Sequence, residues 1–437
     1  MKSVESLKDD EWIIRGKVYG LSAFRKTHPG GTFILDANRR RDCTELFESY
    51  HLLSSRHDYI STTLQKYYLR DETQQESQSP YDWNDPLYHE MKIDLRDSVK
   101  AHFVEKQIKS YKASNAYLSM YFAFIVSAMV NLYFYLNGSY VAAIIFGGLL
   151  WVLSSEAMHN GTHYAVFKKP TWNLLYAKVC GFYHCLSSFW FYQHVISHHS
   201  YTNIEGKDID LEWHHGLYLE FEKDGDAYHQ YWGILPALLS VLTSLTPIMA
   251  CLKHEVVLSP RGQEVVKFIG VEWRSKSYYD VVLQSAALFI VMPLVLVYKL
   301  GVLKAVLFYA IPRLIHGSIY YLFSQVSHIN QPSFRNQEFK HSKNFLVHQI
   351  MGALDYATTS RLWGFLSIGL NNQAMHHVLP NVHPCHYPRL ADVFAAFCKK
   401  YKIQRVVHET LWDAVKAHYS HLFRMNSKAY IESSKAN

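Results

Sequence analysis

The chain has 437 residues, 49% of them hydrophobic and 15% aromatic, with 32 Tyr and a formal net charge of +7. That length accommodates two or three domains, and a mean hydropathy of −0.11 requires long polar parts that dilute any membrane segments. No basic stripe with interleaved aromatics marks a nucleic-acid surface, so the positive charge suits an anionic membrane surface instead.

Met1 to Asp10 is charged and has no apolar core, unlike a secretory signal peptide. Residues 1–70 are expected to form a small α+β domain. Trp12-Ile13-Ile14 and Lys17-Val18-Tyr19 are short strand-like runs separated by Gly16. Helical pieces follow around Phe33–Ala37 and Thr44–Tyr50. Asp71 to Pro86 is rich in Gln, Ser and Asp and has linker composition. Asp94 to Lys112 is a charged amphipathic stretch, so 71–112 reads as linker and lead-in. Cys43, Cys180, Cys185, Cys251, Cys385 and Cys398 form no CxxC and no paired framework, as expected of reduced thiols facing the cytosol.

Residues 113–437 are expected to be all-α and membrane-embedded. Apolar segments occur at about Ala116–Leu136, Tyr140–Ser155, Trp232–Leu252, Val281–Val297 and Val302–Phe323, against the roughly 20 residues that a span needs. Asn137-Gly138-Ser139 joins the first two. Lys100, Lys106, Lys109 and Lys112 precede this pair and Lys168 and Lys169 follow it, which places both ends in the cytosol. Trp232–Leu252, broken by Pro236 and Pro247, is expected to lie flat at the interface. Thr171–Tyr192 is expected to do the same. About four transmembrane helices remain, the last two turning near Lys299-Leu300-Gly301. Arg313 and His316 are costly in lipid and should face the protein interior.

Near the N-terminus, His28-Pro29-Gly30-Gly31 offers an imidazole beside a tight turn. His51, after the helical piece Thr44–Tyr50, is the candidate second ligand of a haem, and His57 is its rival. Here the sequence resembles cytochrome b5, through Trp12, Gly16-Lys17-Val18-Tyr19, Phe24, His28-Pro29-Gly30-Gly31, Asp42, Thr44, Phe47 and His51. The resemblance implies haem b held by His28 and His51.

Further on, eight histidines fall into three tight groups and one outlier: His159 and His163; His194, His198 and His199; His328; His376 and His377. The i, i+4 spacing of His159 and His163 puts both on one helical face. Each group follows an apolar segment. Imidazole suits zinc, copper and iron. A zinc site needs about four ligands, and twice that number argues for two ions. Soluble di-iron bundles rely on carboxylates, whereas here Glu156 lies just before His159 and the groups are otherwise imidazole. For the second group to meet the fourth, both must lie on one side of the membrane.

These boxes resemble those of the membrane fatty acid desaturases, in the front-end and sphingolipid branch that carries Gln373 in the third box and an N-terminal haem domain. Ser324-Gln325-Val326-Ser327-His328-Ile329-Asn330 and Leu370-Asn371-Asn372-Gln373 support it, and the resemblance covers nearly the whole chain. It implies two non-haem irons held by His159, His163, His194, His198, His199, His328, His376 and His377, with Gln373 where the wider family has another histidine. It further implies O2-dependent removal of two hydrogens from an acyl chain. Electrons would come singly from the haem, fed by an NADH-cytochrome b5 reductase, at the cytosolic face of the endoplasmic reticulum. Two departures stand out: Asn160 replaces the branch's Asp, and three residues rather than two separate His194 from His198. The alternatives are a hydroxylase on the same scaffold and an electron carrier with an altered metal site. Trp190, Phe191 and Trp363 are candidate wall residues of an acyl tunnel, with packing as the alternative role. His184, His214, His215, His341 and His348 are expected at interfaces or behind the ligands, and His383 and His386 as groups that orient ligands.

Overall fold

A computed structural model describes residues 7–73, 79–184, 190–204, 206–211, 283–284, 286–330 and 342–425. The segment expected to lie flat, Trp232–Leu252, falls outside these residues, as do His214, His215 and His341.

The N-terminal unit begins with strands β1 (Trp12–Ile14) and β2 (Lys17–Tyr19), where both strand-like runs were expected. Arg15 and Gly16 both take positive φ, 52° and 71°, as a two-residue hairpin turn requires. Helices α1 (Thr32–Ala37), α2 (Thr44–His51) and α3 (His57–Tyr67) follow. Strand β3 (Tyr68–Asp71) then completes an antiparallel sheet in the order β1-β2-β3. Trp12, Ile14, Tyr19 and Leu21 form the core of this unit, with Leu64 and Tyr67 of α3 against it.

Helix α4 (Pro86–Glu105) starts earlier than the expected amphipathic stretch. The Asp85 carboxylate accepts from Leu87 N at 2.9 Å, and Pro86 occupies the first turn, a start built on donors that the helix leaves unpaired. Its buried residues Tyr88, Met91, Leu95, Val99 and Phe103 recur at helical spacing and join one core with Phe345, Met375 and Phe394. The region of linker composition is anchored rather than free. Tyr81 and Trp83 are buried in that core, and the Ser79 hydroxyl donates to Glu45 at 2.7 Å. Two aromatics outweigh the polar residues around them.

Among the described residues, three helices are long and apolar enough to cross a membrane: α5 (Asn115–Leu136), α6 (Tyr140–Thr162) and, further along, Val302–Gln325. At about 1.5 Å per residue the shortest reaches about 33 Å. Between α6 and the second histidine group lies α7 (Pro170–Cys180), shorter than the expected surface helix. Helix α8 comprises a π-helical turn over Phe191–His198 that continues over His199–Tyr201. Helix α9 (Ala287–Leu300) and helix α10 (Val302–Gln325) meet at Gly301, where the hairpin was expected. Arg313 and His316 are buried, Arg313 among the rings of Tyr183, Phe289 and Tyr309.

The C-terminal part covers the ends of these helices with α11 (Phe345–Met351), β4 (Leu354–Tyr356), α12 (Arg361–Leu366), α13 (Gln373–Val378), α14 (Tyr387–Lys400), β5 (Val406–His408) and α15 (Leu411–Met425). Strands β4 and β5 pair in parallel. Asp355 in β4 accepts from Ala374 N at 2.9 Å and pairs with Arg405 at 2.6 Å, which fixes the start of α13.

Candidate metal centre and haem pocket

His28 and His51 face one another with ring centroids 6.3 Å apart. His28 Nδ1 lies 3.2 Å from the Gly31 carbonyl oxygen and His51 Nδ1 lies 2.9 Å from that of Phe47. Carbonyls accept only, so both Nδ1 atoms carry the proton and both Nε2 atoms are left as ligands. Burial holds the His51 imidazole down, to about 4, so it is neutral at ordinary pH. Gly30 is required beside it, because a Cβ there would lie 2.6 Å from the His28 ring. The two histidines open on a cavity of about 510 Å³ lined by Phe24, Ile34, Leu35, Leu46, Phe47 and Leu64, large enough for a cofactor. These features fit a haem with two imidazole ligands. His57 is not among the residues lining the cavity. Tyr111, Lys112, Phe167, Lys168 and Pro170 close its mouth from outside the N-terminal unit. Lys168 supplies a cation of the kind that haem carboxylates take, whereas Lys112 donates to the Tyr164 and Asn381 carbonyls.

The second cluster is assembled from four distant stretches. His159 and His163 stand at the end of α6, past a π-helical turn over Trp151–Ser155. Gly161 between them lets α7 approach, since a Cβ there would lie 2.9 Å from the Asn173 carbonyl oxygen. His194, His198 and His199 lie on α8, His328 just beyond α10, and Gln373, His376 and His377 on α13. All eight imidazoles are buried. His159, His163, His194 and His376 offer ligand nitrogens within 4.8 Å of one another, and so do His198, His328 and His377. His199 lies between the two sets, its ring 4.4 Å from that of His163 and 4.3 Å from that of His377. The Gln373 amide abuts His328 at 2.7 Å and His377 at 3.2 Å. Amide oxygen and nitrogen exchange by a half-turn, which makes Gln373 a fourth donor for the second set.

Hydrogen bonding tethers Nδ1 in six of the eight rings, whereas neither nitrogen of His199 has a partner. On the outer side, His159 Nδ1 meets Asn160 Oδ1 at 3.1 Å, His163 Nδ1 the Tyr50 hydroxyl at 2.9 Å and His198 Nδ1 Asp208 at 2.9 Å. His328 Nδ1 meets the Gly352 carbonyl at 3.3 Å, His377 Nδ1 Gln349 Oε1 at 2.8 Å and His376 Nδ1 the Tyr387 hydroxyl at 3.4 Å. On the inner side, Nε2 of His159, His163, His194, His199 and His376 has no hydrogen-bond partner. A buried nitrogen without a partner is costly, and five converging in one place fit metal ligation oriented from behind.

The two departures from the family pattern find physical accounts. The extra residue between His194 and His198 is taken up by the π turn, a widening by one residue common at functional sites. Both rings stay on one face, stacked 5.5 Å apart, and each belongs to one of the two histidine sets, while the two also lie within ligand distance of one another and of Asp210. Asn160 connects His159 to the Glu156 carboxylate, which accepts from Asn160 Nδ2 at 3.3 Å. Glu156 is also held by Tyr176 and by His383. His383 thus reaches a ligand only through Glu156 and Asn160, and His386 binds the Lys112 carbonyl at 2.8 Å instead. His184 contacts Ser155, and His348 the Thr202 carbonyl.

A narrow cavity of about 40 Å³ touches the cluster at His159, His194, His198 and His328, between Trp151, Trp190, Ile329, Ile368 and Leu370. Trp190 stacks on His194 with centroids 4.6 Å apart. Phe191 turns the other way and packs on Phe33 at 4.8 Å, and Trp363 packs against the cluster that holds Trp151, Ile368 and Leu370 without lining the cavity itself. Sequence reasoning missed Tyr50, Asp208, Gln349 and Tyr387. Asp208, ten residues after His198, was the one with a usable signal, a carboxylate near a ligating histidine.

A haem-binding unit docked on a buried imidazole cluster, at the ends of apolar helices, defines a membrane-bound redox enzyme. The chain belongs to the fatty acid desaturase family, whose profile matches residues 136–408. The profile of the cytochrome b5-like haem/steroid binding domain matches residues 3–71. The chain is 26% identical to the acyl-lipid omega-13 desaturase of Chlamydomonas reinhardtii, over 96% of this chain and 94% of that protein. It is 25% identical to the acyl-lipid (8-3)-desaturase B of Dictyostelium discoideum, over 97% and 93%. To the acyl-lipid (8-3)-desaturase of Mortierella alpina it is also 25% identical, over 94% and 92%. It is an oxidoreductase, a membrane lipid desaturase with its own haem donor, two irons as cofactors and O2 as co-substrate.

Proposed function

We propose that His159, His163, His194 and His376 hold one iron and that His198, His328, His377 and Gln373 hold the other, with His199 between them. His28 and His51 hold haem b. The observation that carries this reading is the convergence of eight buried imidazoles, six of them tethered at Nδ1 and five with a buried Nε2 that has no partner. When bound, the irons supply the O2 chemistry that an unactivated C–H bond needs and that side chains lack. The chain itself aims the imidazoles through Asp208, Gln349, Tyr387 and Tyr50. It excludes water with Trp151, Trp190, Ile368 and Leu370. The substrate is the acyl chain of a membrane lipid, in keeping with the acyl-lipid relatives.

The haem domain packs on the histidine side of the apolar helices, together with Lys100, Lys112, Lys168 and Lys169. By the positive-inside rule that side is cytosolic, and the membrane is that of the endoplasmic reticulum. A membrane NADH-cytochrome b5 reductase supplies the electrons. Expression in yeast followed by mass spectrometry of total lipids tests the activity, with His198→Ala as control. Loss of two hydrogens from an acyl chain is the expected product. Gain of one oxygen would instead identify a hydroxylase, the reading that the spacing of the second box keeps open. Haem without further iron in the purified protein would identify an electron carrier.

A further inference from the structure

Among the side chains described behind the histidines, Tyr50 alone comes from the haem domain. It immediately precedes His51 in α2, and its ring lines the haem cavity. Its hydroxyl lies 2.9 Å from His163 Nδ1, with the two rings within 20° of parallel. With Nε2 of His163 turned inward, Nδ1 carries the proton and the Tyr50 oxygen accepts it. One residue therefore borders the haem and touches a histidine of the metal centre.

The surroundings hold it there. Asn381 Nδ2 donates to the Tyr50 carbonyl at 3.0 Å, and Tyr164 presents its edge to the ring at 6.3 Å. Ala37 and Leu46 of the haem domain pack with Phe191, Val195 and Ile196 of α8. Glu48, one turn back along α2, is bound by Lys92 and Tyr88 of α4. The helix that ends in His51 is thus seated directly on the second histidine box.

We propose that Tyr50 is the bridge through which the haem reduces the metal centre. The inference rests on the assignment of His163 as an iron ligand. The path runs from His51 through one peptide unit to Tyr50, then across the hydrogen bond to the His163 ring. One electron leaves ferrous haem, which becomes ferric, and one ferric ion at the centre becomes ferrous. No proton needs to cross, and two such transfers serve each double bond formed.

The test uses the full chain loaded with haem and iron, wild type against Tyr50→Phe. The haem is reduced by a light flash without O2, and decay of the ferrous haem absorbance is timed as the electron leaves. Phenylalanine keeps the ring and removes the hydrogen bond. The decay is expected to slow several-fold, because the electron must then cross a through-space gap where the hydrogen bond stood. Because Tyr50 also orients His163, the variant is loaded to wild-type iron content before the flash, and its haem midpoint potential is expected to stay at the wild-type value. Decay at the wild-type rate in a fully loaded Tyr50→Phe protein overturns the bridge and leaves the iron assignment intact. A Tyr50→Phe protein that cannot be reloaded with iron shows that Tyr50 serves only to hold His163, and the bridge is also overturned. Wild type that binds haem but no other iron overturns the ligand assignment, and the bridge with it.

Discussion

The haem pocket and the histidine cluster solve one problem, aiming imidazoles at iron, by opposite means. The first draws both ligands from 24 consecutive residues, His28 to His51, and orients each through a carbonyl of its own segment. The second draws its proposed ligands from residues 159 to 377 and orients them with groups from elsewhere in the chain, Tyr50 to His163 and Gln349 to His377. A local site survives damage to its neighbours, whereas an assembled one depends on the whole fold.

The sharpest test of that contrast is a pair of ligand substitutions. His51→Ala should abolish the haem absorbance and leave the non-haem iron, read by metal analysis. His199→Ala, between the two sets, should remove iron and lower activity more than about 100-fold, beyond the range seen for outer partners of a ligand, with the haem spectrum unchanged. Loss of both cofactors in either variant would break the contrast. Next, Asp355→Ala strands the buried Arg405 and frees the start of α13. Removing one member of a buried pair destabilises by about 3–5 kcal/mol, so denaturation should show the membrane part weakened and the haem domain untouched. Asp208→Asn, behind His198, should cost about 10–100-fold in activity or iron affinity, with haem content as the internal control.

The smallest effect concerns the seam between the two regions. Burial pushes the Glu48 carboxyl up, but Lys92 and Arg15 outweigh it and hold the group below its ordinary 4.5. A carboxyl lowered by folding contributes fully above pH 4.5 and loses that contribution as pH falls through its folded value. Protection of the seam from protease should therefore weaken below pH 4.5, and Glu48→Gln should flatten that dependence.

Much of this was legible in the residues themselves. Both strands, α1, α2 and the turn at Gly301 stood where spacing put them, and the convergence that the histidine groups demanded is met. Helix α3 was overlooked because Ile60, Leu64 and Tyr67, though at helical spacing, are diluted by Ser61, Thr62 and Thr63. The polar region before α4 hid Tyr81 and Trp83, whose burial is decided by distant Phe345. The π turn had no signature, since a pattern of apolar residues reports a period and not an inserted residue. The Nδ1 partners were the least legible, because Tyr50 and His163 are brought together by tertiary closure alone.

The lid over the haem cavity carries a last consequence. Tyr111 and Lys112 come from the lead-in and Phe167, Lys168 and Pro170 from the membrane part, so docking decides how dry the macrocycle is. Low polarity disfavours the ferric state, which bears the extra positive charge, and the nearby Lys168 ammonium acts in the same direction. The reduction potential of this cytochrome is accordingly a property of the assembled chain, and pulling the two halves apart should shift it downward.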